Sequence, residues 1–478
     1  YSPEWAAPIT GIEAERIVQL ARTMATTKPM VIKTGNGVGD QQNDGTSAMM
    51  AIVLIEAITG NLDVPGGNFG GYNMPTMIPT RSFFVETLLD RLPEDAYDKL
   101  LAPSYARDLQ KLPNNVSPVG FHTPQSASYK VLKALLTGKP YVPRVLSAQQ
   151  TSVLSQLRNP EQNAEALKKA DFFFVMDQYW SPAVDYADIV LPACSLYEQS
   201  HNLGTKNGPD GTWVGIRNKA VEPLGESRSD WQFWLDLAVM MGYEEDFWGG
   251  EMDNCLREQL EPSGISLEEL RESPRGIFVE RTEPLPPKEY RRYAQLFAAL
   301  PHGKVQCYNE VIGGKLDADE KNTLPYLPEY KGPPEGIAQT PELVQEYPLI
   351  LSDVHAYRLD QHSSYTGLPY LRELQPYPWV KINPATAQKY GIGDGDWIKV
   401  ESPHGWVKMV AEYFEGIAPD VLMSKRGWWQ KCDELGLPGH SYLNGGSEVN
   451  VLYNGDDTLF DGCSSQMAKQ TLVRISKL

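Results

Sequence analysis

The chain has 478 residues, too many for one hydrophobic core, and is 41% hydrophobic and 22% charged, the balance of an ordinary globular protein with two or three domains. Its formal net charge of −18 argues against nucleic acid or an anionic membrane surface as the main partner. No apolar run approaches the roughly 18–20 residues that a bilayer span needs.

In chain order, Thr10 or Gly11 can cap a first helix whose apolar positions include Ile12, Ile17, Val18, Leu20 and Ala21. PMVIKTG (29–35) is a short apolar run ending on glycine, which predicts a strand. A glycine-rich loop follows and runs into a buried helix over 49–60. Strand, glycine loop and helix in this order is the unit of doubly wound α/β domains. The loop carries Gly35, Gly37 and Gly39, a closer spacing than G-x-G-x-x-G. It reads either as a tight turn or as a loop whose backbone N–H groups meet a phosphate at the helix N-terminus.

Residues 60–73 form an irregular glycine-rich loop, and 76–130 lack clean periodicity, with short helices expected at 83–92 and 95–101. The α/β rhythm then resumes. Strands are predicted at 143–148, 171–177 and 188–193, and helices at 163–170 and 229–242, the last with Ser229 as N-cap and Gly242 as its stop. Parallel strands bind ligands at their C-terminal edges, where Gln149, Gln150 and Asp177 fall. A proline-rich linker is expected over 284–345. After 346 the texture becomes short strands separated by turns, with a hairpin turning near Pro403–Gly405, which predicts a small β-barrel.

The five cysteines, Cys194, Cys255, Cys307, Cys432 and Cys463, come no closer than 31 residues, so no local C-x-x-C zinc or iron–sulfur motif is present.

Several stretches together carry a resemblance: YSPEWAAPITGI at the start, AITGNLDVPGGN (57–68), VMDQYWSPAVDYADIVLPA (175–193), GKVQCY (303–308), WVKINPATAQKYGIGDGDWIKVESPHG (379–405), RGWW (426–429) and EVNVLY (448–453). In this order and spacing the chain resembles the C-terminal half of the catalytic subunit of molybdopterin-dependent oxidoreductases of the dimethyl-sulfoxide-reductase type. The resemblance implies a mostly parallel, doubly wound α/β domain over 1–283, interrupted by an irregular insert near 76–130. A double-psi-like β-barrel would follow over 346–478. It implies bis-(molybdopterin guanine dinucleotide) carrying molybdenum or tungsten as cofactor.

Site residues follow from the same resemblance. Asp177, closing its strand, would accept two parallel hydrogen bonds from the N1–H and 2-amino group of a guanine, with Gln178 beside it. Gly35, Gly37, Gln41 and Gln42 match a glycine loop near the pterin and phosphates. Gln149, Gln150 and Thr151 occupy the place of a further cofactor loop. Gly204 and Thr205 follow Glu198 in a segment of E…G-T type, and Asp230 matches an aspartate near the nucleotide. In the barrel, Ser352, Asp353 and Val354 replace a T-G-R triplet, and Gln361, His362, Ser363 and Ser364 keep the polar character of the loop along the pterins. Asn450 and Lys469 match pterin-side residues. His355 is read as either a surface or a pterin-loop residue. Trp428 and Trp429 are read as barrel core or channel lining, and His122 and Tyr129 as possible pocket residues.

The family's cysteine-rich motif and metal ligand are not identifiable in the sequence, so no catalytic or metal residue is assigned. The implied partners are the N-terminal half of the subunit, which would hold the iron–sulfur cluster unless a partner subunit does, an iron–sulfur electron-transfer subunit, and a small-molecule substrate. Cytoplasm and periplasm both stay open. Two alternatives stand beside an oxidoreductase: a related hydratase, transhydroxylase or catechol dehydroxylase, and a non-catalytic scaffold that retains nucleotide contacts. A nicotinamide dehydrogenase is disfavoured because the first loop lacks its fingerprint.

Overall fold

A computed structural model describes residues 1–42, 44–68, 128–139, 142–208, 210–281, 290, 304–305, 307–308, 314–315, 323–324, 326–336, 339–354, 364–456 and 469–478. The helices expected at 83–92 and 95–101 lie outside these residues, as do His122, His355, Gln361, His362 and Ser363. Tyr129 falls in the helix Ser128–Thr137.

The first region is helical. Pro3–Thr10 is capped by Ser2, whose side chain accepts from Trp5 N, and it ends at Gly11 in the left-handed region. Ala14–Thr26 follows. The strand predicted at 29–35 is not formed. Side-chain amides replace a neighbouring strand: Met30 N donates to Asn61 Oδ1 (3.0 Å), Ile32 N to Asn68 Oδ1 (2.6 Å), and Asn68 Nδ2 to Ile32 O (2.8 Å). The loop 59–68 thus satisfies the backbone that a ladder would have used. Gly66 is required there, because its φ is +75° and a Cβ would stand 2.6 Å from Pro29 Cγ. The glycine loop forms one short helix, Asn36–Asp40, before the apolar helix Gly45–Ile58.

Three strands, β1 (Val145–Gln149), β2 (Phe172–Asp177) and β3 (Ile189–Pro192), form a parallel sheet in sequential order. Period-2 alternation gives β2 two faces. Phe173 and Val175 pack with Leu132, Leu135, Leu154, Ala164 and Leu167 on one side. Phe174 meets Phe233 and Trp234 of the helix Asp230–Met240 on the other. Pro160–Leu167 crosses between β1 and β2, starting three residues before its expected position because Asn159 caps it and Pro160 opens it.

A second sheet, absent from the sequence reading, follows. It is antiparallel, of β4 (His201–Asn207), β5 (Gly211–Arg217) and β6 (Ile277–Glu280), with its core against Leu256, Leu260, Leu267 and Leu270. A small ladder pairs β7 (Gly314–Lys315) with β8 (Thr323–Leu324).

The barrel is closed by six strands in the order β10-β12-β11-β14-β9-β13. Here β9 is Leu349–Asp353, β10 Trp379–Ile382, β11 Trp397–Ser402, β12 Gly405–Tyr413, β13 Val421–Ser424 and β14 Thr471–Lys477. The β10–β12 and β9–β13 pairs are parallel, and the other pairs antiparallel. Alternate residues (Leu349, Leu351, Ile398, Val400, Val407, Met409, Ala411, Val473) fill the interior, and the predicted hairpin turns at residues 403–404.

The two regions touch directly. Arg158 Nη1 donates to Asn454 O (3.0 Å), Asn444 N to Glu161 Oε1 (2.6 Å) and Tyr442 Oη to Asp185 Oδ2 (3.0 Å).

Candidate cofactor site

The C-terminal edge of the parallel sheet holds two carboxylates. β2 ends on Asp177, whose Oδ1 accepts from Gln178 N (2.8 Å) and Tyr179 N (3.2 Å), turning the chain sharply off the strand. Burial pushes the Asp177 carboxyl above its ordinary range, partly offset by those backbone donors, and the nearby Asp230 pushes it further up. Asp230 opens its helix and is buried. Its Oδ2 accepts from Gln150 Nε2 (2.8 Å), while its Oδ1 is buried without a hydrogen-bond partner among the described residues.

The flanking residues hold this edge in shape. Gln150 sits at φ +49°, and its N–H donates to Met176 O at 3.0 Å. Gln149 Oε1 accepts from Trp234 Nε1 (3.0 Å), Gln178 Nε2 donates to Cys194 O (3.0 Å), and Thr151 Oγ1 donates to Gln156 Oε1 (2.8 Å). Glu198 is a buried clamp on two backbone amides, Ser195 N and Leu224 N, each at 2.6 Å. Gly204 and Thr205 lie on β4, opposite Gly215 and Val214, in the antiparallel sheet.

A second cluster stands at the barrel mouth. β9 ends in Ser352-Asp353, and Val354 N donates to Ser424 O at 2.8 Å. Asp353 is buried and pairs with Arg426 Nη2 at 3.0 Å. Lys469 Nζ donates to Asp353 O. The same lysine borders the glycine loop: a Cβ on Gly37 would stand 4.0 Å from Lys469 Cε and 3.7 Å from Gln41 Oε1. Gln42 Nε2 closes that loop on Val38 O (2.6 Å), and Gly35 is open on its Cβ side. Asn450 is fully buried. Its Nδ2 donates across the domain boundary to Ser155 O, and its Oδ1 has no partner among the described residues. Ser364 is half-buried beside Tyr365, which meets Tyr179 edge-on at 5.5 Å.

Three separate sequence signals therefore converge at the mouth: the glycine loop, the end of β9, and Lys469. A fourth, Asn450, joins the barrel to the sheet domain. Trp429 Nε1 and Gln430 Nε2 both donate to Trp180 O, at 3.3 and 3.2 Å, so the RGWW segment is tied to the loop that follows Asp177. Trp428 is packed in the core, with Arg372 Cζ 4.9 Å and Lys425 Nζ 5.4 Å from its ring.

Sequence reasoning missed Glu448, which is fully buried and accepts from Gly427 N (2.8 Å) and Asn450 N (3.3 Å). Its signal was visible in EVNVLY, where an acid opens an apolar run.

The chemistry of these groups fits a pterin guanine dinucleotide. Acceptors stand at Asp177 and the uncommitted oxygen of Asp230, suited to the N1–H and 2-amino donors of a guanine. An amide oxygen at Asn450 suits the N–H groups of a pterin, and Lys469 supplies positive charge beside the glycine loop. Among the described residues no group of three or more His, Cys, Asp or Glu could hold a metal ion.

Comparison with known proteins agrees. The family model described as molybdopterin oxidoreductase matches residues 15–239, and that described as molydopterin dinucleotide binding domain matches 349–470. Dopamine dehydroxylase of Eggerthella lenta is 27% identical over 95% of this chain and 49% of its own length. Acetylene hydratase of Syntrophotalea acetylenica is 27% identical over 91% of this chain and 58% of its own length. A dimethyl sulfoxide reductase of Escherichia coli K12 is 26% identical over 94% and 54%. The chain spans about half the length of the curated relatives it matches. The solved structure of acetylene hydratase from Pelobacter acetylenicus superposes with a TM-score of 0.78 over all of this chain and 64% of that one, at 24% identity, and shares the fold. With family models covering both the sheet domain and the barrel, the chain belongs to the molybdopterin oxidoreductases of the dimethyl-sulfoxide-reductase type.

Proposed function

We propose that this chain supplies the dinucleotide-binding part of a catalytic subunit that works with bis-(molybdopterin guanine dinucleotide) and molybdenum or tungsten. The observation that carries the reading is the carboxylate pair at the sheet edge, Asp177 raised by burial and Asp230 with one uncommitted oxygen, since two acceptors side by side suit a ligand rich in donors. Asp177 and Asp230 would take the guanine of one dinucleotide. Gly35, Gly37 and Lys469 would face phosphate or pterin, and Asn450 would accept from a pterin N–H. When bound, the group supplies a redox-capable metal centre for oxygen-atom, hydride or electron transfer. The chain's residues bind and orient it and keep its surroundings dry.

A second reading has its own support. Two of the relatives bear the names of a dehydroxylase and a hydratase, so removal of a hydroxyl or addition of water to a small organic substrate stands beside oxidoreduction. The barrel is proposed to be of double-psi type, supported by its two parallel pairs, β9–β13 and β10–β12. Residues 1–283, 284–345 and 346–478 are proposed as sheet domain, linker and barrel. An iron–sulfur cluster and electron-transfer partner belong to the same proposal. No described helix is long and apolar enough to cross a membrane.

Inductively coupled plasma mass spectrometry of the native assembly tests the reading. About one molybdenum or tungsten per complex, with guanine nucleotide released on denaturation, is the expected result. Neither metal above background in a folded preparation refutes it and favours a scaffold role.

A further inference from the structure

The Glu448 carboxyl belongs to no contact that the resemblance assigns. It opens the turn Val449–Leu452 and bridges two segments: Oε2 accepts from Gly427 N (2.8 Å), just past β13, and Oε1 from Asn450 N (3.3 Å). One fully buried side chain therefore sets the position of the RGWW segment relative to the Asn450 turn.

The charged groups around it come from every element at the mouth. Asp353 ends β9 and pairs with Arg426 (3.0 Å), Lys469 reaches the Asp353 carbonyl, Lys425 precedes Arg426, and the buried Tyr453 hydroxyl has no partner among the described residues. Arg426 is already engaged by Asp353, so it cannot fully balance a second carboxylate. Burial first, and Asp353 in addition, push Glu448 up to about 8 against the pull of Arg426 and its two backbone donors. Burial, Asp353 and Glu448 push Tyr453 up as well.

We propose that Glu448 is a positioning residue for the pterin site: it locks the Arg426–Gly427 segment to the Asn450 turn, keeps Arg426 on Asp353, and leaves the Asn450 carboxamide oxygen free to accept from the ligand. Loss of its proton to solvent sets a second carboxylate in competition for Arg426 and loosens the lock. The inference rests on the cofactor reading above, and its test separates the two.

The full assembly is prepared as wild type, Glu448→Gln and Glu448→Ala. Glutamine keeps one carbonyl acceptor for one of the two backbone donors and cannot ionise. Hydrogen exchange of peptides covering 424–430 and 447–453 is compared between variants at each pH, so intrinsic exchange cancels. Wild type should lose protection as pH rises through about 8, Glu448→Gln should hold an intermediate protection that does not change with pH, and Glu448→Ala should be unprotected throughout. Metal retained per chain should follow, falling with pH in wild type and staying flat in Glu448→Gln. Superimposable pH profiles of wild type and Glu448→Gln overturn the lock. Expected exchange profiles with neither metal in any preparation overturn the assignment to a pterin site and refute the proposed cofactor.

Discussion

Asp177→Asn separates ligand binding from folding at one atom pair. Asparagine keeps Oδ1 as acceptor for Gln178 N (2.8 Å) and Tyr179 N (3.2 Å), so the turn off β2 survives. It also removes one of two neighbouring carboxylates, which relieves the repulsion from Asp230 that helps push Asp177 up. Stability without cofactor should therefore change by less than about 1 kcal/mol. Binding should change far more. A guanine edge offers two donors, and the amide replaces a charged acceptor with an NH₂ that meets a donor head-on. Losing one charge-assisted hydrogen bond costs about 1.5–3 kcal/mol, and the mismatched donor adds to it, for about 2–4 kcal/mol in all. That is about 30- to 1000-fold in affinity. The assay pairs urea unfolding of cofactor-free protein with guanine nucleotide and metal retained after dialysis. Full retention in Asp177→Asn refutes the role of Asp177 as a base acceptor. A collapse of cofactor-free stability shows instead that the carboxylate serves the fold.

Other outcomes follow from single contacts. Asn450→Ala removes the bond to Ser155 O across the domain boundary and leaves that buried carbonyl unpaired, so a loss of about 1–3 kcal/mol is expected in urea unfolding. His440 is held neutral: burial, helped by Arg372 and Lys408, lowers it to about 4. The unfolded chain binds this proton at its ordinary pKa and the folded chain does not, so stability should fall as pH drops from about 6.5 to about 4. Partial exposure discounts the full shift to about 2 kcal/mol, read as the difference between wild type and His440→Gln in urea series across that window. Glu448 slopes the other way. Its raised carboxyl takes up a proton on folding, so its contribution declines as pH rises from about 4.5 to about 8, and Glu448→Gln should flatten that limb. Gly446→Ala places a Cβ 1.7 Å from Ser441 O, a backbone clash that should cost more than about 3 kcal/mol and shift the thermal transition by many degrees.

The barrel strands were legible because their signal is local. Alternation in WIKVES and GWVKMVAEY is a period-2 pattern in which each buried residue declares its own face, and Ser402–Gly405 needed only a short hairpin to pair them. The sheet strand FFFVMD and the position of Asp177 at its end were equally readable, since a buried run that stops on an acid marks an edge. The strand predicted at 29–35 failed for a tertiary reason: Asn61 and Asn68, more than thirty positions away, bind its backbone in place of a partner strand. The β4–β5–β6 sheet was silent because HNLGTKN is polar and glycine-bearing, and β6 returns only sixty residues after β5.

The site divides along the same line. Residue types at element ends, Asp177, Asp353, Asn450 and Lys469, were fixed by local sequence and could be named without coordinates. Their meaning depended on distance in space. Gln150 reaches Asp230 across 80 positions, Lys469 reaches Asp353 across 116, and Asn450 reaches Ser155 across 295. Whether a carboxyl holds its proton depends on the charges and backbone donors around it, and for Glu448 those come from the end of β9, the segment after β13 and its own turn. Sequence alone determined the parallel-sheet and barrel strands and the side chains that stand at their edges. The closure of the barrel onto the sheet domain decided which of those edges share one site, because burial and charge pairing are properties of neighbours that the chain brings together only when folded.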